Sequence, residues 1–333
     1  VREARAFWLT EPGRGEIRSE ALPAPGPDEV LVRALRSGIS RGTEALVFRG
    51  EVPPDQYDAM RAPFQQGDFP GPVKYGYLSV GVVEQGPERL AGRRVFCLHP
   101  HQSAYVVPAS AVTPLPPYVP TERAVLAGTV ETAVNAVWDA APLVGDRITV
   151  VGGGMVGCCI AALVARIPGA QVTLVDTEPS REHVADTLGA SFATPDGARG
   201  GCDLVFHASA TSAGLQRSLE LLGTEGTVHD VSWYGDRAVT VPLGGAFHSG
   251  RLSIRSSQVG MIAPSRRGRR SHADRLRLAM ELLEDSALDV LLTGTSTLDE
   301  LPGVLARLAD GDRTTLCHSI DYSEVPDTSR EDV

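Results

Sequence analysis

The run Gly152-Gly153-Gly154-Met155-Val156-Gly157 follows an apolar, β-branched strand at residues 148–151 and opens a helix, a setting that gives a glycine triplet chemical meaning. Gly152 makes the tight turn, Gly154 lets the backbone approach a pyrophosphate, and Gly157 lets the helix pack closely on the strand. Amides of the first helical turn, those of Met155 and Val156 included, then face the phosphates, where the helix dipole favours negative charge. About twenty residues further on, Asp176 ends the next strand, a position where a carboxylate accepts from ribose hydroxyls and repels a 2′-phosphate. The pattern predicts a nicotinamide dinucleotide, NAD over NADP, with Arg181 able to reach a 2′-phosphate if its loop folds back. Ser209 and Trp233 each follow a later strand of the same unit and are read as further cofactor contacts; for Trp233 and its neighbour Tyr234, capping of the sheet is the alternative. Elsewhere, His99 and His101 flank Pro100 on a loop, and either imidazole titrates in the range of a general base. Solvent-facing or substrate-contacting roles are the alternatives for both.

These groups must be held by two kinds of structure. Up to about residue 115 the sequence shows short alternating apolar runs broken by Gly and Pro, as in Val30-Leu31-Val32 and Val80-Gly81-Val82-Val83, which predicts a β-rich domain without long helices. Near Pro120 the character changes: Thr121 can cap a helix, and a second helical stretch covers residues 131–141. From Arg147 the order becomes strand, glycine turn, helix, strand, and further strands at 204–207, 227–231 and 252–255 extend it into a doubly wound parallel sheet. Beyond Met261 come an amphipathic helix (273–284), a strand (290–292), a helix (298–309) and a last strand (315–320). The polar stretch 323–333 is expected to fray.

Composition narrows the function classes. A chain of 333 residues predicts two domains, each with its own core. A formal charge of −10, spread along the chain, disfavours a polyanionic partner such as nucleic acid. The basic run Arg266-Arg267-Gly268-Arg269-Arg270 reads as a solvated loop. Uninterrupted apolar stretches such as 160–165 are far short of the roughly 20 residues that cross a bilayer, and no apolar signal core follows the N-terminus. A cytoplasmic protein is expected. The 5 cysteines are scattered, without the pairing at short spacing of a structural zinc clip, and read as reduced core thiols.

Two further segments carry a resemblance: Ser37-Gly38-Ile39-Ser40-Arg41-Gly42-Thr43-Glu44, and the stretch from Pro72-Val73-Lys74-Tyr75-Gly76-Tyr77-Leu78 to Val83. With the glycine motif and Asp176 they resemble the medium-chain dehydrogenase/reductase superfamily over nearly the whole chain. The resemblance implies an α/β fold: a GroES-like β-rich catalytic domain (residues 1–120 and 263–333) and a Rossmann dinucleotide-binding domain (121–262). In that family the first segment holds a cysteine zinc ligand where this chain has Ser40, and the second reads Gly-His-Glu where this chain has Gly76-Tyr77-Leu78. The third ligand falls at about Gly128. A catalytic zinc needs about three Cys, His or carboxylate ligands, which these positions do not supply. The resemblance therefore implies a zinc-free member, similar to a subgroup that includes bacteriochlorophyllide hydroxyethyl dehydrogenases. A replacement metal site from His99, His101 and Glu44 is the alternative.

The implied reaction is hydride transfer between a nicotinamide and a secondary alcohol or ketone on a small-molecule substrate, and specialised metabolism is an expected setting. Without a Lewis acid, hydrogen-bond donors must stabilise the alkoxide-like oxygen. Tyr77, where a zinc ligand would sit, is the first candidate, although it could equally fill the space left by zinc. Thr43 matches, with Gly42 inserted, a hydroxyl that relays protons in the zinc enzymes; Ser40 could assist, and His101 is the candidate base. Lys74, if it faces inward, would depress the pKa of Tyr77. Arg41 is expected on the cofactor pyrophosphate or in a surface ion pair, and Glu44 and Glu131 as buried partners of a cation or a helix end. The strand ending at Arg255 can face the cofactor or a second subunit, and the family implies a homodimer. Two other functions fit the same residues: a double-bond reductase of the quinone or enoyl type, and a dinucleotide-binding protein without catalysis.

Overall fold

The computed structural model describes residues 2–325. The chain divides into two compact units, one formed by the stretch up to Gly128 together with the stretch from Leu292 onward, the other by Thr129–Leu291.

In the first unit the alternating apolar runs form strands, because residues two apart share one face and can cover a core. They are β1 (Glu3–Glu11), β2 (Arg14–Ala21), β3 (Glu29–Ile39), β4 (Gln66–Gly67), β5 (Val73–Lys74), β6 (Ser79–Gln85), β7 (Arg94–Cys97), β8 (Ala104–Pro108) and β9 (Val112–Pro114). A short helix, α1 (Arg41–Phe48), interrupts them after β3, and α2 (Thr121–Ala124) follows β9. One sheet has the order β2-β1-β5-β4. In the larger one β3 is central, pairing antiparallel with both β6 and β8. Val30, Val32, Val83, Val95, Tyr105 and Val107 close its core.

The second unit begins with α3 (Ala127–Ala140) and continues as β10 (Arg147–Val151), α4 (Met155–Val164), β11 (Gln171–Val175), α5 (Arg181–Leu188), β12 (Ser191–Ala193), β13 (Cys202–His207), α6 (Ser212–Leu221), β14 (Leu222–Asp230), α7 (Ala246–Ser249), β15 (Ser253–Ser256) and α8 (His272–Leu282). Its sheet has the order β12-β11-β10-β13-β14-β15, every neighbour parallel. That order reverses direction between β10 and β13, the switch point of a Rossmann sheet, where ligands bind at the carboxyl ends of the strands. The central strands are apolar on both faces, as helices on either side require: Ile148, Val150, Val205 and Phe206 are all buried.

The chain then returns to the first unit as β16 (Leu292–Thr297), α9 (Leu301–Ala309) and β17 (Cys317–Asp321), with β17 pairing antiparallel to β3 and α9 packing on α1. Both domain boundaries fall later than the sequence suggests. Val125 lies against Gly38 of β3, which keeps α2 with the β-rich unit. At the other end α8, expected in the catalytic domain, belongs to the Rossmann unit because its buried Arg275 reaches Glu131 (3.0 Å), Asn135 (2.6 Å) and the Val259 carbonyl (2.5 Å). Among the described residues no helix is long and apolar enough to cross a membrane.

Candidate active site

In the β-rich unit, α1 organises the polar cluster. Ser40 stands at its N-cap, yet its hydroxyl does not cap the helix. Glu44 reaches back instead, its Oε1 accepting from the Ser40 amide at 2.7 Å, much as the acidic arm of a capping box does. The Ser40 hydroxyl is thereby left off the helix end, and together with that of Thr43 it acts on the nearby Tyr77 phenol. Three residues named from the sequence, Ser40, Thr43 and Tyr77, are thus brought together. Both hydroxyls favour the phenolate, but burial and the charge of Glu44 outweigh them and push the Tyr77 pKa up to about 12.

The other carboxylate oxygen of Glu44 lies 2.8 Å from His101 Nε2, and both side chains are buried. His101 Nδ1 is 2.7 Å from the Ser37 hydroxyl, which is 2.9 Å from that of Tyr322. Gly76 has φ +127°, and a Cβ there would stand 2.8 Å from His101 Cδ2. Only glycine lets the segment leading into Tyr77 lie on the imidazole.

The geometry departs from expectation at several residues. Lys74 does not face Tyr77: its Nζ donates to Glu20 (2.7 Å) and Gln102 (2.8 Å), so it supplies no charge that lowers the Tyr77 pKa. The cause is register, since β5 pairs with β1 and Lys74 reaches the side where β2 carries Glu20. His99 turns away from His101. Its ring stacks on Tyr105 with centroids 3.7 Å apart, Nδ1 donates to the Pro100 carbonyl, and burial drives its pKa down to about 3. His99, His101 and Glu44 therefore do not converge as metal ligands. Arg41 commits one nitrogen to the Asp312 carbonyl (2.7 Å).

The zinc positions can be tested directly. A Cβ at Gly128 would lie 2.6 Å from Leu78 Cδ2 and 3.6 Å from Phe96 Cζ, so the third position faces packed apolar side chains. What stands at the other two is a hydroxyl and a protonated phenol. These residues do not fit a tetrahedral zinc site.

In the Rossmann unit the glycine motif has the geometry a dinucleotide needs. Gly152 has φ +111°, and any Cβ on Gly157 would collide with the Gly152 carbonyl. Gly154 is the N-cap of α4 and has no side chain to satisfy the first-turn amides ahead of Met155 and Val156. Asp176 accepts from the Gly153 amide (2.6 Å) and the Glu178 amide (2.8 Å), leaving lone pairs on both oxygens. The stem of Arg181 lies over Gly153 beside that carboxylate. Ser209 abuts Gly152 at the switch point, with its amide 2.6 Å from where a Gly152 Cβ would be. Trp233 is half-buried in the segment after β14.

Sequence reading missed the partners of Ser209. Its hydroxyl is 2.7 Å from His207 Nε2, and His207 Nδ1 is 3.0 Å from Asp230, which also accepts from Tyr234 (2.8 Å). No sequence signal gives that pairing; it follows from the register of β13 and β14, which sets His207 opposite Asp230. Ser37 and Tyr322 were missed as well, because their partners are 64 and 285 residues away in sequence.

No protein-family model matches the chain. It is 29% identical over 204 residues to 2-desacetyl-2-hydroxyethyl bacteriochlorophyllide A dehydrogenase of Cereibacter sphaeroides, covering 54% of this chain and 59% of that protein. It is 31% identical over 193 residues to L-galactonate-5-dehydrogenase of Escherichia coli, covering 51% and 56%. The chain therefore spans between half and two thirds of these relatives. Among solved structures, one from Sinorhizobium meliloti, named as a zinc-binding dehydrogenase and bound to NADP, aligns with a TM-score of 0.78 at 18% identity, covering 96% of this chain and 100% of its own. A β-rich unit beside a parallel Rossmann-type sheet is the fold of the solved medium-chain dehydrogenases, and this chain has it.

Proposed function

We propose that the protein is a nicotinamide-dependent oxidoreductase that interconverts a ketone and a secondary alcohol, using the Tyr77 phenol in place of zinc at the substrate oxygen. The observation that carries this reading is the cluster of Tyr77 with Ser40 and Thr43, beside a Gly128 position occupied by Leu78. Gly152, Gly154 and Gly157 with the first turn of α4 would hold the pyrophosphate, and Asp176 the adenosine ribose, which favours NAD. The bound nicotinamide supplies or accepts the hydride. Tyr77, protonated across the physiological range, donates a hydrogen bond to the carbonyl oxygen and gives up its proton as that oxygen becomes basic. Ser40 and Thr43 hold the phenol in place and stabilise the phenolate left behind. Similarity to a 2-desacetyl-2-hydroxyethyl bacteriochlorophyllide dehydrogenase supports an alcohol as the substrate class.

Incubation with NADH or NADPH and separate panels of ketones and enones tests the reading. Ketone turnover with NADH is expected; turnover confined to enones would make the protein a double-bond reductase, and tight cofactor binding without turnover a non-catalytic binder. Stoichiometric zinc in the purified protein would overturn the assignment to Tyr77. A homodimer belongs to the same proposal: β15 is the outer strand of the Rossmann sheet, and all four of its residues are exposed.

A further inference from the structure

The chain is sparing with aromatic side chains, yet Tyr57, Phe64, Phe69, Tyr75 and Tyr77, a third of all its phenylalanines and tyrosines, crowd into one short stretch. Most of their rings form a series. Tyr57 lies against Phe69 with centroids 5.7 Å apart, Phe69 against Tyr75 at 5.5 Å, and Tyr75 edge-on to Tyr77 at 6.0 Å. The first of these contacts closes the base of a loop that carries Phe64. There the backbone takes φ +58°, a left-handed conformation that is costly for any residue with a Cβ. Hydrogen bonds across the loop hold it: Gln65 Oε1 accepts from the Ala62 amide (3.1 Å), Gln65 Nε2 donates to the Gly67 carbonyl (3.4 Å), and Arg61 donates to Asp68 (2.5 Å). So held, the Phe64 ring stacks on His99, with centroids 5.6 Å apart and 27° between the planes, and stays 36% exposed. Buried His99 is uncharged above about pH 3. Strain over-determined by its surroundings points to a use for the residue it presents.

We propose that Phe64, backed by His99, forms a flat wall for the aryl group of an aryl alkyl ketone whose carbonyl oxygen meets Tyr77. The inference rests on the reading that Tyr77 donates to that oxygen. Two connections tie the wall to Tyr77. One is the ring series that starts at the base of the Phe64 loop and ends on Tyr77 itself. The other runs through the segment that follows His99, where Gly76 seats the chain entering Tyr77 on the His101 ring. An exposed aromatic face attracts another ring through dispersion and its quadrupole, and offers no hydrogen bond to a carboxylate or a row of hydroxyls. The cations of this stretch are already engaged, Lys74 with Glu20 and Arg61 with Asp68, so neither is held out to an anionic substrate. A ketone conjugated with its ring is planar, so stacking on one wall also fixes where the carbonyl points. The product is a benzylic secondary alcohol.

Calorimetric titration of the NADH complex with 1-phenylethanol and with 1-cyclohexylethanol reads the wall alone, because reduced cofactor and alcohol cannot exchange hydride. The two alcohols have the same carbon skeleton and differ in the flatness and π electrons of the ring. Wild type should bind the phenyl compound at least about fivefold more tightly. Phe64→Leu should bring the two affinities within about twofold of each other, with the cyclohexyl compound within about twofold of its wild-type value, and Phe64→Tyr should keep the preference. Equal affinities in wild type, no binding of 1-phenylethanol, or equal weakening of both alcohols in Phe64→Leu would overturn the proposal. Failure of the underlying reading looks different: the phenyl preference in binding would stand, while Tyr77→Phe reduced acetophenone as fast as wild type.

Discussion

At Tyr77, burial and the neighbouring Glu44 charge oppose the influence of the Ser40 and Thr43 hydroxyls, and the unfavourable surroundings of a phenolate win. The group is therefore an acid at neutral pH and never a resting base. Tyr77→Phe should lower kcat for ketone reduction at least about tenfold, roughly 1.4 kcal/mol of barrier, with KM little changed. His99 makes a second, independent test. Its pKa falls from the ordinary histidine value to about 3 because the fold buries it. The folded value lies below the unfolded one, so the stability it contributes is whole above about pH 6.5 and is lost as pH falls toward 3. Across that window the loss approaches ~1.4 kcal/mol per pH unit. Urea titrations at about pH 7 and 5 should show His99→Phe losing less stability than wild type. Sequence spacing suggested both histidines as bases; their separation, one onto Tyr105 and the other onto Glu44, depends on which way a loop turns around Pro100.

Among the elements, α4 and α1 matter most to the proposed chemistry, and they were unequally legible. The α4 motif is local: a strand, a glycine turn and a helix start within ten residues, so the sequence reading and the structure agree closely. A Cβ at position 157 meets backbone that cannot yield. Gly157→Ala should thus weaken NADH binding at least about tenfold in a fluorescence titration, because the helix start must move off the phosphates. Asp176→Ala should shift the cofactor preference toward NADPH, measured as the ratio of kcat/KM values. By contrast α1 is only 8 residues long, and its first turn carries a glycine and a β-branched threonine. It is held by Glu44 reaching back to Ser40 and by α9, which arrives from the far end of the chain. No local pattern announces such a helix.

For the whole molecule the exposed edge strand is the feature with a consequence for assembly. Ile254 is 39% exposed on β15, and an unpaired parallel-sheet edge offers a row of free backbone groups to a second copy. Light scattering is expected to give twice the chain mass, and Ile254→Lys a monomer that still binds NADH. A monomeric wild type would refute the dimer. The late second boundary has the same scale: α8 is tied to α3 by the Arg275–Glu131 pair across 144 residues. Nothing in the amphipathy of residues 273–284 says which unit that helix will join.

By itself the sequence determined what depends on neighbours in the chain. The period-two runs of the β-rich unit, the alternation of strand and helix, the glycine motif with its carboxylate, and the absence of zinc-type side chains at positions 40, 77 and 128 are all of this kind. The tertiary structure decided what depends on distant segments meeting. It turned Lys74 toward Glu20, set Leu78 against Gly128, and lined up Tyr322, Ser37, His101 and Glu44. Hydrogen bonds act over about 3 Å, whereas sequence patterns report only spacing along the chain. A polar side chain's partner is therefore legible in advance only where the local backbone already brings the two together.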